Sequence, residues 1–228
     1  MCNLYSMTTN QEAIRRLFGV VIDSTGNLPP QPGVFPDYAA PIVRNTANGR
    51  ELAMARWGMP SPVFALKGRN SDPGVTNVRN TASPHWRRWL APECRCVVPF
   101  TSFSENETLP DGRKPPIWFA LGEDRPLACF AGIWVAGWTS VRKVKEGETT
   151  NDLFAFLTTE PNALVKQYHP KAMPVILRTR DEIDTWLDAP TPDALQVQRP
   201  LPDDALMIVA RGQKQDGVPV GPPSGLLL

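Results

Sequence analysis

Proline and glycine punctuate this chain often enough to imply many turns and short elements: 25 prolines and 16 glycines fall within 228 residues. Proline fixes φ and removes a backbone donor, and glycine loses the most freedom on ordering, so both end helices and strands. The fold must therefore be assembled from many short elements. The apolar share of 42% is that of an ordinary globular protein. A chain this long buries roughly 70% of its unfolded surface without a disulfide or metal staple. Collagen-like, coiled-coil and disordered classes are excluded. So is a chain ruled by a basic tail, because 24 Lys+Arg against 23 Asp+Glu leave a net charge of +1.

The first predicted element is a helix. Thr9 and Glu12 have capping-box spacing, Ala13, Ile14, Leu17 and Phe18 share a face, and Gly19 is a stop. Residues 23–41 are rich in Pro and Gly and read as an irregular connection. Strand-like apolar runs recur at 51–57, 95–103, 116–121, 127–138, 152–158, 173–177 and 205–210. Ser83 and Pro84 open a short helix over 85–90, Glu160–Tyr168 forms another, and Thr159, Thr179 and Thr191 can each cap one, Thr179 with Glu182 as a capping box. A charged loop is expected over 142–151. The pattern predicts one α+β domain over residues 1–214, a mostly antiparallel sheet curled towards a barrel with short peripheral helices, and a flexible tail over 215–228.

The N-terminal segment has no basic region followed by an apolar run, and no stretch approaches the roughly 20 apolar residues of a membrane span. Four cysteines (Cys2, Cys94, Cys96, Cys129) do not make a secreted disulfide framework. A reduced cytoplasm is the expected location. Zinc would have to draw on these and on the two histidines, His85 and His169, but Cys94-x-Cys96 lacks the usual ligand spacing. Two thiols on one strand face read as packing groups. No nucleophile elbow or phosphate-cradling glycine loop is present. No metal or cofactor is expected.

Four features could carry chemistry. Removal of Met1 would leave Cys2 with an α-amine of ordinary pKa about 7.7–8.0 beside a thiol of about 8.5. Such a pair can attack one aldehyde twice, the amine forming a Schiff base and the thiolate closing a thiazolidine ring; a cysteine at this position also occurs by chance. From Arg79 to Arg95, Arg79, Arg87, Arg88 and Arg95 face one acid, Glu93, with Trp86 and Trp89 interleaved. That composition suits a single-strand nucleic-acid groove, or equally a solvated helix with tryptophan on its buried side. Glu105 ends the apolar run from Cys96, so burial should raise its pKa towards neutrality, unless it is a plain strand-edge carboxylate. His169 closes a predicted helix, where the helix terminus would favour imidazolium and a proton donor, or merely a cap.

Taken in order, these pieces resemble the SOS response-associated peptidase family, whose members crosslink to abasic sites in single-stranded DNA. The family pattern of Met-Cys-Gly-Arg, Trp-Gly, Asn-Ala-Arg, Arg-Cys-[apolar]-[apolar]-Pro…Gly-Phe-Tyr-Glu-Trp, Thr-Thr and His-x-Arg-Met-Pro appears as Met1-Cys2, Arg56-Trp57-Gly58, Asn77-Val78-Arg79, Arg95-Cys96-Val97-Val98-Pro99…Phe103-Ser104-Glu105, Thr158-Thr159 and His169…Met173-Pro174. The resemblance implies a Cys2 crosslink with Asn77, Glu105 and His169 as catalytic partners. Asn77 would hold the new N-terminus, Glu105 would shuttle protons, and His169 would protonate the sugar oxygen. Arg79, Trp57, Arg87, Arg88, Trp86, Lys171 and Thr158 are the expected DNA contacts. Departures are also visible: Asn3-Leu4 replaces Gly-Arg, Ser104 and Asn106 replace the Tyr and Trp around the glutamate, and Pro170-Lys171-Ala172 is one residue longer with Lys for Arg. The expected partner is single-stranded DNA carrying abasic sites, with a monomer and no obligate protein partner. Two other functions fit the same residues: a cysteine-type peptidase or autoprotease acting on Met1, and a non-catalytic single-strand nucleic-acid binding module.

Overall fold

The computed structural model describes residues 2–217. Short elements dominate, as the proline and glycine content requires. In chain order they are β1 (Tyr5–Met7), α1 (Gln11–Phe18), β2 (Ile22–Asp23), β3 (Gln31–Val34), β4 (Ala39–Thr46), β5 (Gly49–Trp57), β6 (Asn77–Val78), α2 (Pro84–Arg87), β7 (Arg95–Phe100) and β8 (Ser102–Asn106). There follow β9 (Pro116–Ala120), β10 (Ala128–Val141), β11 (Glu148–Thr159), α3 (Ala163–Lys166), β12 (Met173–Pro174), β13 (Ile176–Leu177), α4 (Arg180–Asp188), α5 (Thr191–Ala194) and β14 (Met207–Arg211).

Five strands close a barrel. β5 pairs with β4, β4 with β7, β7 with β10 and β10 with β11, all antiparallel. The ring shuts where β11 meets β5 in parallel, Leu153 opposite Arg56 and Phe154 opposite Trp57. A second, five-stranded sheet runs β14-β9-β8-β1-β3. Side chains alternate across each barrel strand, so the barrel feeds two separate cores. Val43, Leu52, Val97, Ala131 and Leu153 pack with Ile14 and Phe18 of α1 and Ile183 and Trp186 of α4. Ile42, Ala55, Val98, Phe130, Phe154 and Phe156 pack with Tyr5, Phe103, Ile117 and Phe119 of the second sheet.

Several boundaries differ from the sequence-based reading for identifiable reasons. Residues 23–41 are not one irregular connection, because β3 and the start of β4 lie there. Pro32 is tolerated because β3 is an edge strand of its sheet. The run 95–103 is two strands broken at Thr101, whose backbone N–H turns to Ser6 O at 2.8 Å. The expected loop 142–151 is the tip of the β10–β11 hairpin, with pairing continuing to Val141 opposite Glu148. Asn10, not Thr9, caps α1, its Oδ1 accepting from Ala13 N at 2.8 Å. Asn162, not Thr159, caps α3, and Thr191 lies inside α5, behind an N-cap at Pro190. The Thr179–Glu182 capping box on α4 is present with both reciprocal bonds. Replacing Thr179 by alanine should cost about 1 kcal/mol in a urea melt; a change below a few tenths would show the cap to be idle.

Arg95 is also not where a nucleic-acid cation must be. Its guanidinium is fully buried, donating to Leu90 O (2.8 Å), Trp186 O (2.9 Å), Ala189 O (2.6 Å) and Thr191 Oγ1 (2.9 Å). It ties the end of α4 to the barrel, where otherwise orphaned carbonyls need donors. Of the expected tail, Asp216 is buried, bonded to Ser102 Oγ at 2.6 Å and to Arg125 at 2.7 Å. Residues 218–228 lie outside the described residues. Among the described residues, no helix is long and apolar enough to cross a membrane.

Candidate active site

An inner strand of the small sheet, β1, brings the start of the chain inside. β1 pairs with β8 through Tyr5–Phe103 and Ser6–Ser102, and Ser104 N donates to Leu4 O at 2.9 Å. This extends the pairing so that residues 2–4 run beside Ser104 and Glu105. From the barrel side, β6 lies parallel to β11, with Asn77 opposite Phe156. The Asn77 amide Nδ2 donates to the Cys2 carbonyl at 2.8 Å and to Thr76 Oγ1 at 2.8 Å. Thr76 Oγ1 in turn donates to Asn3 Oδ1 at 3.2 Å. A carboxamide from one sheet thus clamps the first residues carried by the other. Cys2 is 1% exposed, and its thiol donates to Leu4 O at 3.4 Å.

Charge links the remaining groups. Burial pushes the Cys2 thiol pKa well up, and the Glu105 carboxylate adds to the rise. Glu105 is pushed up to about 7 by its own burial, with the positive amino terminus pulling the other way. His169 is lowered, first by burial, and the amino terminus and Lys171 lower it further against the Ala172 hydrogen bond. The amino-terminal charge is therefore felt by Cys2, Glu105 and His169 together. The rise at Glu105 follows the sequence-based expectation. The His169 pKa moves down, opposite to the helix-end expectation, because α3 is only four residues long and burial outweighs so small a dipole. His169 Nδ1 lies 2.8 Å from Ala172 O and 3.2 Å from Ala172 N. The shorter contact places the neutral ring's proton on Nδ1 and leaves Nε2 as the basic nitrogen.

The chain is similar to known proteins over most of its length. Residues 1–211 match the family described as SOS response associated peptidase (SRAP). The chain belongs to the SRAP family. Membership ties it to the SOS response to DNA damage. A crystal structure of a protein from Bordetella bronchiseptica superposes with a TM-score of 0.69 at 26% identity, covering 91% of this chain and 98% of that one. One from Bacteroides thetaiotaomicron gives 0.70 at 22%, covering 91% and 90%, and a phage-related protein from Bordetella bronchiseptica gives 0.65 at 20%, covering 91% and 92%. No curated protein matches.

In this SRAP chain the expected catalytic set converges, while the expected DNA contacts separate into three groups. Arg79 and Lys171 lie together at an exposed rim: Arg79 Nη2 is 2.8 Å from Glu160, and Nη1 is 3.5 Å from Lys171 O. An exposed pair of this kind is worth at most about 1 kcal/mol, so a phosphate can displace it. Thr158 is buried, and its Oγ1, like Asn77 Oδ1, has no hydrogen-bond partner among the described residues. Trp57 is not a DNA surface. It is fully buried, ringed by Tyr5, Phe154 and Phe156, with its indole N–H bonded to Thr76 O at 3.0 Å. Trp86 is 7% exposed and belongs to the core against Trp89, since a short helix needs one apolar side to hold it down. Arg87 and Arg88 are exposed, Arg88 lining a different cleft.

The sequence-based reading missed Thr76 and a crevice of about 230 Å³ beside Glu105, whose lining includes Asn3, Phe35, Lys114 and Lys214. Thr76 carried a signal, being next to Asn77; the two lysines are isolated charges that only the fold brings together. The glycine of the Trp-Gly segment also acquires a reason. Gly58 and Gly74 have φ of +139° and +75°, and a Cβ at either would sit 2.4 Å from the Arg142 guanidinium. Arg142 donates to Gly58 O at 3.0 Å and to Pro73 O at 3.3 Å, which fixes the loop leading to Asn77. Among the described residues no group of three or more His, Cys, Asp or Glu could hold a metal.

Proposed function

We propose that this protein captures the aldehyde of an abasic site in single-stranded DNA through Cys2, once Met1 has been removed. The observation that carries the reading is the Asn77 clamp on the Cys2 carbonyl at 2.8 Å, which holds the residue that would become the N-terminus. Until Met1 leaves, the Cys2 nitrogen is an amide without a nucleophilic lone pair.

The chemistry follows from the charges. The freed amine adds to C1′ of the ring-opened deoxyribose, and the carbinolamine loses one water to give the imine. As the sugar ring opens, His169 Nε2 takes the proton of the C1′ hydroxyl and hands it to the ring oxygen. The buried thiol is neutral at pH 7, so it adds as its proton passes to the Glu105 carboxylate. That proton ends on the ring nitrogen, and the product is a thiazolidine with net loss of one water. A thiol driven away from the thiolate counts against a cysteine-peptidase nucleophile.

Intact-mass spectrometry on protein mixed with single-stranded DNA carrying one abasic site tests this. The expected species has the mass of the protein without Met1 plus the DNA minus one water, and Cys2→Ala does not form it. A protein that lacks Met1 yet stays free of DNA would end the proposal.

A further inference from the structure

We infer that the cleft between the loop at residues 60–72, α2 and the end of β10 is a second seat for single-stranded DNA, holding nucleotides that flank the captured one. This rests on the proposed capture of single-stranded DNA and extends it to a site that the Cys2 chemistry does not use. The cleft has a volume of about 680 Å³, within the range of about 300–1,000 Å³ typical of ligand sites.

Its charge is one-sided. Arg69 and Arg88 line it, and among the described residues neither forms an ion pair, whereas Arg44, Arg50, Arg56, Arg79, Arg125 and Arg211 all do. Its one carboxylate, Asp72, is buried and already accepts from Ser61 N at 3.0 Å and Gly74 N at 2.8 Å. It therefore shapes the loop and leaves the cations uncompensated.

The cleft also offers rings in a fixed arrangement. The Arg88 guanidinium lies 3.8 Å from the Trp89 ring centroid and 5.8 Å from that of Trp138. Stacking holds it in place while its N–H groups stay open to phosphate. Half-buried Trp138 lines the same wall. His85 Nε2 sits 2.9 Å from Pro60 O and joins the two sides. Fixed cations beside aromatic faces are the chemistry of single-strand binding, in which bases stack and phosphates pair without sequence readout. Asp72 precedes Asn77 by so few residues that the cleft edge is at most about 18 Å from the Asn77 backbone, within reach of one short strand.

The test is fluorescence anisotropy of labelled oligothymidylate without any abasic site, titrated with the Cys2→Ala protein to isolate reversible binding. Arg69→Glu and Arg88→Glu, singly and together, are compared with it across a salt series. Arg69 is exposed, so its variant should leave the fold intact, and a thermal melt checks both variants. The double variant should bind at least about tenfold more weakly, and its log–log salt slope should be shallower by about 1.4, the value for two lost phosphate contacts on a single strand. Variants that bind with unchanged affinity and slope would overturn the cleft assignment, whether or not the Cys2 adduct forms. A wild-type protein that forms no adduct while its variants still lose affinity would remove the capture reading and leave the cleft standing.

Discussion

Glu105→Gln should slow adduct formation by about 10²–10⁴-fold, the usual contribution of a positioned general base. Glutamine keeps the shape of the side chain but cannot accept the thiol proton. The pH dependence separates this role from a structural one. In wild type the capture rate should rise with pH through about 7, as the Glu105 carboxylate forms. In the variant the rise through about 7 should vanish, leaving only the later rise of the α-amine at its ordinary pKa of about 7.7–8.0. Stability must move the other way. The folded pKa of Glu105 is raised above its ordinary carboxylate value, so the native state holds this proton more tightly than the unfolded chain does. Its contribution is fully present below the ordinary pKa of about 4.3 and is lost as pH rises through about 7. Wild type should therefore lose melting temperature relative to Glu105→Gln between pH 5 and pH 8. A variant that captures DNA at the wild-type rate, with the same pH profile, would remove Glu105 from the chemistry.

Trp57→Ala should destabilise the fold by about 3–5 kcal/mol, as expected for emptying a fully buried tryptophan site. For a chain of this size that lowers the melting temperature by roughly 6–20 °C. The ring fills the space between Tyr5, Phe154 and Phe156, with centroids 5.2, 6.3 and 5.2 Å away. Trp57→Phe is the finer probe. It keeps an aromatic body but deletes the N–H that holds Thr76 O at 3.0 Å. Its stability loss should be smaller, while adduct formation slows, because Thr76 and Asn77 are released at the clamp. A loss below 1 kcal/mol for Trp57→Ala would mean that the indole is not the packing element it is taken to be here.

Much of the fold could be read from the chain because its strands are apolar enough to announce themselves. The runs now seen as β5, β9, β10 and β11 were visible as strands, and the Thr179–Glu182 spacing located α4. What was hidden was hidden by proline. Pro32 and Pro41 masked β3 and β4, yet Pro32 sits on a sheet edge, and Pro41 lies outside the two positions, Val43 and Arg44, at which β4 pairs with β7. Local chemistry was legible where it depended on neighbours in sequence: an apolar run ending in Glu105 implied a raised carboxyl pKa. It was illegible where it depended on distant charges. The His169 pKa is lowered by burial and by the amino terminus, neither of which can be seen from residues 160–175. Trp57 and Trp86 showed the limit of composition, since an aromatic beside an arginine looks the same whether it faces solvent or core.

The barrel seam has a consequence for how the protein is made. The ring closes only when β11 docks alongside β5, a contact between segments far apart in the chain. Such non-local pairing forms slowly, because the entropy of closing the loop is lost before any contact repays it. β6, which carries Asn77, pairs with the same β11. The Asn77 clamp on Cys2 thus depends on the same non-local closure; under the proposed function, a chain whose barrel is still open would hold no organised trap for aldehydes.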